Sequence, residues 1–133
     1  MRRRKLYIHV GPHKTGTTTI QHGLTDNTEA LRKQGYIYPE LTTIFYGQHN
    51  LVFEINKNDK FNPIFGNLND LAKFLDDKNH DVIISSEEFD TIINPEPLIK
   101  LRDAFSAKFD IIIIGYLRPQ EELLQSHWKT KVK

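Results

Sequence analysis

The stretch Gly11-Pro-His-Lys-Thr-Gly-Thr-Thr-Thr19 concentrates more chemistry than any other part of the chain, and all of it suits an anion. Glycines at positions 11 and 16 let the backbone approach a ligand closely and turn successive N–H groups inward as a nest. Lys14 supplies a full positive charge, and the threonine hydroxyls can donate to oxygen. The stretch follows an apolar strand and opens a helix, whose N-terminus adds partial positive charge. A phosphate or sulfate belongs in such a loop. The spacing Gly11-x4-Gly16 is that of a Walker A loop, but Thr17 and Thr18 stand where that loop needs Lys and Ser/Thr. The apolar run Val82–Ser86 closes on serines before its glutamates, so no strand ends in a magnesium-binding carboxylate. Both departures oppose a kinase or NTPase. A glycine turn capped by a threonine is the plainest alternative, and Lys14 with the threonine run outweighs it.

Two further sites are candidates for proton transfer. Glu87-Glu88 follows an apolar strand without a spacer, and an abrupt change from apolar to carboxylate at a strand end is where function tends to sit. A solvated pair capping the strand is the competing reading. His49 lies in a long aperiodic segment and could act as a base or orient a substrate. His13 lies inside the anion loop and suits contact with the donor or packing, whereas His9, His22, His80 and His127 have no motif around them and read as structural or exposed. No Asp/Glu/His cluster has metal-ligand spacing, so no metal is expected.

The elements that must position these groups follow from periodicity. Leu6–Val10 reads as a strand ended by Gly11-Pro12. From Gly16 a helical period places Ile20, Leu24 and Leu31 on one face, with Gly35 as the left-handed stop. Tyr36–Pro39 reads as a second short strand. Residues 40–66 read as loop with one or two helical turns around His49 to Ile55, and a loop that long is usually functional. Its aromatics Tyr36, Tyr38, Phe45, Tyr46, Phe53, Phe61 and Phe65 could line a pocket, although most are expected in the core. Leu68, Leu71, Ala72 and Leu75 keep helical spacing. A strand at Val82–Ser86, a helix burying Leu98, Leu101 and Phe105, and a strand at Asp110–Tyr116 follow. The four consecutive isoleucines of that last strand predict burial on both faces, as in a central strand of a parallel sheet. Pro119 starts a final helix. The alternation of strand and helix predicts an α/β domain over residues 1–133 with a mostly parallel sheet.

Composition sets the outer bounds. The 133 residues suit one domain, and 38% hydrophobic with 26% charged side chains reads as globular. A net charge of +1 gives no global reason to expect nucleic-acid binding. The absence of cysteine excludes disulfides, thiolate zinc sites and cysteine nucleophiles. The basic start Arg2–Lys5 precedes an apolar run too short for a signal peptide, and nothing approaches a membrane span. A soluble, cytoplasmic protein is expected.

Pro12-His-Lys-Thr-Gly-Thr-Thr18 resembles the 5′-phosphosulfate loop of sulfotransferases that use 3′-phosphoadenosine 5′-phosphosulfate (PAPS), with a lysine two residues before the glycine and a threonine pair after it. A second match is an arginine at a strand end with a serine eight residues later, here Arg118 and Ser126, which resembles the family's 3′-phosphate motif. The resemblance implies a three-layer P-loop-like fold and a sulfuryl transfer from PAPS, without a metal, to a hydroxyl or amine of a small-molecule or carbohydrate acceptor. It implies donor contacts from Pro12, His13, Lys14, Thr15, Gly16, Thr17, Thr18, Arg118 and Ser126, with Lys14 neutralising charge on the leaving oxygens. The base in such enzymes is a glutamate or histidine at the carboxyl edge of the sheet, which makes Glu87 the first choice and His49 the second. Sulfotransferases are usually longer than this chain. A fragment, a non-catalytic nucleotide- or anion-binding remnant, or a short form completed by pairing through Leu123, Leu124 and Trp128 of the last helix are the alternatives.

Overall fold

Short apolar strands alternating with helical segments can bury both sheet faces only by folding helices back across the sheet. The computed structural model shows this arrangement for residues 3–10 and 17–115, the residues it describes, with Thr17 and Thr18 described by their backbone alone. The elements are β1 (Arg4–His9), α1 (Thr17–Asp26), α2 (Thr28–Lys33), β2 (Tyr36–Ile37), α3 (His49–Ile55), a 3-10 turn (Pro63–Phe65), α4 (Leu68–Asp76), β3 (Asp81–Ser85), a second 3-10 turn (Glu87–Thr91), α5 (Glu96–Phe105) and β4 (Phe109–Ile114). The four strands form one sheet in the order β2-β3-β1-β4, and every pairing is parallel.

Period-two alternation sorts the strand residues between the two faces. Leu6, Ile8, Ile37, Val82 and Ile84 enter one hydrophobic core together with Leu51 and Ile55 of α3, Leu71 and Leu75 of α4, and Leu101 and Phe105 of α5. Their neighbours His9 and Ser85 point to the other face, where α1 begins. The sheet therefore has one apolar side and, at its carboxyl end, one polar side.

Several expectations need correction. The helix drawn from Gly16 to Gly35 is two helices, interrupted at Asn27, whose amide donates to the Gly23 carbonyl at 2.7 Å. Its only fully buried side chain among those described in α1 is Gln21, while Ile20 and Leu24 are half-buried. Gly35 does take the left-handed conformation, at φ 94°. In α5, Leu101 and Phe105 are buried but Leu98 faces solvent, and Pro97 takes the inward place. The isoleucine run of β4 is not central: among the described residues β4 pairs only with β1, and Ile113 is 58% exposed. β1 is flanked by β3 and β4, so β1 and β3 are the two inner strands. The final helix expected after Pro119 lies outside the described residues.

The basic N-terminal residues act as pins. Arg3 donates to the Ser106 and Phe109 carbonyls at 2.7 and 2.8 Å, capping the end of α5. Arg4 donates to the carbonyls of Leu75, in the last turn of α4, and of Lys78, just past it, and lies over the Phe109 ring. Both use guanidinium protons to satisfy orphan helix-end carbonyls.

The long segment after β2 is held by one buried amide. Asn50 donates to the carbonyls of Asn62 and Gly66, each at 2.9 Å, and accepts from Asn62 N–H at 2.9 Å. A capping box between Asn67 and Asp70 then starts α4. Replacing Asn50 with Ala removes three hydrogen bonds to backbone groups and leaves the Asn62 carbonyl only its bond from Phe65 N–H, so we expect a loss of about 2–4 kcal/mol in chemical denaturation. An unchanged midpoint would show that residues 58–66 do not depend on this amide.

Candidate functional site

The carboxyl ends of β1 and β3 lie side by side. His9 is in register with Ser85, and Ser86 N–H donates to the His9 carbonyl at 3.1 Å. The chain therefore leaves β1 toward Gly11 at the level where β3 delivers Ser85, Ser86 and Glu87. On the other side of β1, Val10 N–H donates to the Ile114 carbonyl at 2.9 Å, so β4 ends there too.

A network of polar side chains fills this edge. His9 Nδ1 lies 2.7 Å from Ser85 Oγ, and Gln21 donates to the same hydroxyl at 3.0 Å. Gln21 also donates to Glu87 Oε2 at 3.0 Å. Glu87 Oε1 then faces His49 Nε2 at 3.8 Å, beyond hydrogen-bond length but within reach of an ion pair. His49 Nδ1 lies 2.7 Å from Ser86 Oγ, which accepts Glu88 N–H at 3.1 Å and so caps the following turn. The two carboxylate oxygens of Glu87 thus have separate surroundings: an amide orients one, and an imidazole faces the other.

Gln48 fixes the height of this array. Its carbonyl oxygen accepts Ser85 N–H at 2.7 Å, and its backbone N–H donates to the Ser85 carbonyl at 2.8 Å. Its amide nitrogen donates to the Pro39 carbonyl at 2.9 Å. Gln48 continues the sheet by other means where β2 has stopped, and His49 is the next residue. Gly47 allows the close approach: a Cβ there would lie 2.8 Å from the His49 ring and 2.9 Å from the Gln21 amide carbon.

The segment before Gly47 turns sharply. Ile44 and Gly47 exchange both backbone hydrogen bonds, at 2.8 and 3.3 Å, around Phe45 and Tyr46. Both central residues have positive φ, 49° and 74°. That pair of signs defines a turn for which Asn-Gly is favoured and large aromatics are not, at a cost of about 1–3 kcal/mol per residue. Tyr46 nevertheless stacks on His22 with ring centroids 3.8 Å apart, and buried Tyr38 donates its hydroxyl to the Tyr46 carbonyl. Burial pushes the Tyr38 phenol well above its ordinary value, so it remains a donor across the neutral range. Together with Phe53, Glu87 and His49, this turn lines a cleft of about 510 Å³.

The structure brings Glu87 and His49 together from elements far apart in sequence. Thr17 and Thr18 fall in the first turn of α1. Pro12, His13, Lys14, Thr15, Gly16, Arg118 and Ser126 lie outside the described residues, as do Leu123, Leu124 and Trp128. Among the aromatics expected mostly in the core, only Tyr38 is fully buried. Phe45, Tyr46 and Phe65 are exposed, and Tyr36, Phe53 and Phe61 are half-buried. His9 and His22, read as lacking a role, both belong to this edge. Gln21, Gln48, Ser85 and Ser86 had no motif to mark them, and no local spacing in the sequence sets them apart. Among the described residues no group of three or more metal-ligating side chains is placed to hold an ion, and no helix is long and apolar enough to cross a membrane.

Two measurements test the array. Gly47→Ala should push the His49 ring and Gln21 apart, costing about 1–3 kcal/mol in denaturation and altering the His49 imidazole resonances in NMR spectra; a variant with unchanged His49 shifts would refute the close approach. Burial holds the His9 imidazole below its ordinary value of 6.5, with the Glu87 charge acting in the opposite sense. The unfolded chain therefore gains a proton near pH 6.5 that the folded chain resists, and stability present above that pH is lost as pH falls. The Tm difference between pH 7.5 and pH 5.5 should shrink in His9→Asn, and an equal difference in both proteins would remove His9 from the linkage. Comparison of the chain with family models, with curated proteins and with solved structures gave no match.

Proposed function

We propose that this chain transfers a sulfuryl group from PAPS to a hydroxyl or amine acceptor, on a three-layer P-loop-like domain. The observation that carries the reading is that both described flanks of residues 11–16, the end of β1 and the first turns of α1, meet the end of β3 that leads to Glu87. The end of β1 lies beside Ser86, through the bond from Ser86 N–H to the His9 carbonyl. In α1, Gln21 bonds to both Ser85 and Glu87. The residues that flank this segment on both sides thus support a reading in which its anion-binding groups work with the carboxylate–imidazole pair. Arg118 follows Ile114 by four residues, a chain reach of at most about 14 Å from the same edge.

In this reading the Gly11–Thr18 amides and hydroxyls hold the 5′-phosphosulfate, and Arg118 with Ser126 holds the 3′-phosphate. An acceptor oxygen forms its bond to sulfur as the bond from sulfur to the bridging phosphate oxygen breaks. The acceptor proton passes to Glu87, and adenosine 3′,5′-bisphosphate departs with Lys14 neutralising its new charge. Gln21 holds Glu87 Oε2, leaving the Oε1 side toward His49 and the cleft as the direction of approach. His49 positions the acceptor or stabilises the protonated carboxyl group. The transferred group carries less charge than a phosphoryl, which suits a site built from one lysine and backbone amides.

Calorimetry with adenosine 3′,5′-bisphosphate against ATP and magnesium separates this from a kinase or NTPase. We expect the bisphosphate to bind at least about 100-fold tighter and Arg118→Ala to lose at least about tenfold, or ~1.4 kcal/mol. Preference for ATP with magnesium would overturn the proposal. With labelled PAPS and a panel of hydroxyl and amine acceptors, Lys14→Ala and Glu87→Gln should each lower kcat by about 100-fold or more, and His49→Gln by less. Tight nucleotide binding with no transfer to any acceptor would leave a binding module.

A further inference from the structure

The apolar side of the sheet is left open at β4. Leu6, Ile8, Val82 and Ile84 on that side are at most 1% exposed, whereas Ile113, in register with Ile8, is 58% exposed. Leu98 of α5 is 48% exposed. Ile113 and Leu98 line one groove of about 290 Å³, walled further by Ile8, Val10, Leu101 and Ile111. Arg102 is its one polar wall residue, exposed and paired with the neighbouring Asp103. A site for a small molecule needs several placed polar groups to orient it. These walls offer apolar area instead, which suits a packed segment of chain.

We propose that residues 119–130 of this chain dock in the groove as an amphipathic helix, with Leu124 and Trp128 inward and Leu123 beside them. Supply points to this segment. Outside the described residues, the large apolar side chains other than Met1 are Tyr116, Leu117, Leu123, Leu124, Trp128 and Val132. Spacing agrees. Leu124 and Trp128 are one helical turn apart, about 6 Å along the axis. Ile111 and Ile113 are two strand residues apart, about 7 Å. Reach agrees as well. From Gly115, the last described residue of this stretch, to Pro119 the chain spans at most about 14 Å. Packed helices need only roughly 8–10 Å between axes, so the segment can lie beside α5. A segment tethered this closely has an effective concentration on the order of millimolar, far above that of a second copy in dilute solution. The proposal goes beyond sulfuryl transfer and does not rest on it.

Trp128 is the single tryptophan, and the chain has no cysteine, so both can be probed without background. In the full chain, Trp128 emission should be blue-shifted and resist quenching by acrylamide. Ile113→Lys and Leu98→Glu should each move the emission to that of solvent-exposed indole and raise quenching several-fold. Ile64→Lys, at a position 81% exposed and outside the groove, should change neither. A short bis-maleimide should link Leu98→Cys to Leu124→Cys within one chain, and should not link Ile64→Cys to Leu124→Cys. The cross-link is read in chains without a charge in the groove, so it decides the case if a charged variant fails to fold. Exposed Trp128 emission in the unaltered chain, or emission indifferent to both groove variants, would overturn the proposal. Cross-links formed only between chains would overturn it too, in favour of a second copy.

Discussion

Parallel pairing of β1 with β3 in the register His9↔Ser85 is the constraint on which the rest of the arrangement depends. A slip of β1 by one residue would turn its side chains to the opposite face. It would send Leu6 and Ile8 out of the core and bring Tyr7 and His9 into it, against the unmoved Val82 and Ile84. The register that buries the apolar set therefore also decides which polar side chains meet on the other face. Glu87, two residues past Ser85, reaches Gln21 and His49 as a consequence of packing on the far side of the sheet.

That polar edge is costly to build. Gln21, Gln48, His49, Ser85 and Ser86 are buried, and each buried polar group must find partners or lose about 1–3 kcal/mol. The molecule satisfies them by sharing: Ser85 Oγ serves His9 and Gln21, and Ser86 Oγ serves His49 and Glu88 N–H. A hydrophobic replacement would pack as well at less electrostatic risk. An edge of this kind, together with a strained aromatic turn at its mouth, fits a protein that gives up some stability to hold chemical groups in place.

How far the sequence could be read depended on whether a signal was local. Leu68–Leu75 announced α4, Gly35 announced a left-handed turn, and Val82–Ser86 announced β3, because each depends on spacing within a few residues. The break at Asn27 escaped periodicity because Ile20, Leu24 and Leu31 fit one helical face whether or not the helix is continuous. The isoleucine run misled because four apolar residues describe what a strand would tolerate on both faces, not how many neighbours it has. His9 and Gln21 were missed for a related reason: nothing near either residue in sequence hints at Ser85.

The sequence by itself determined the alternation of strands and helices and the parallel α/β class, which follow from residue types at short spacing. Only the tertiary structure decided that β1 is central, that His49 crosses thirty-eight positions to face Glu87, and that Phe45 and Tyr46 stand at a cleft instead of in the core. These are pairings between distant segments. They are settled by strand register and by where Gln48 anchors its loop, and no local pattern encodes either.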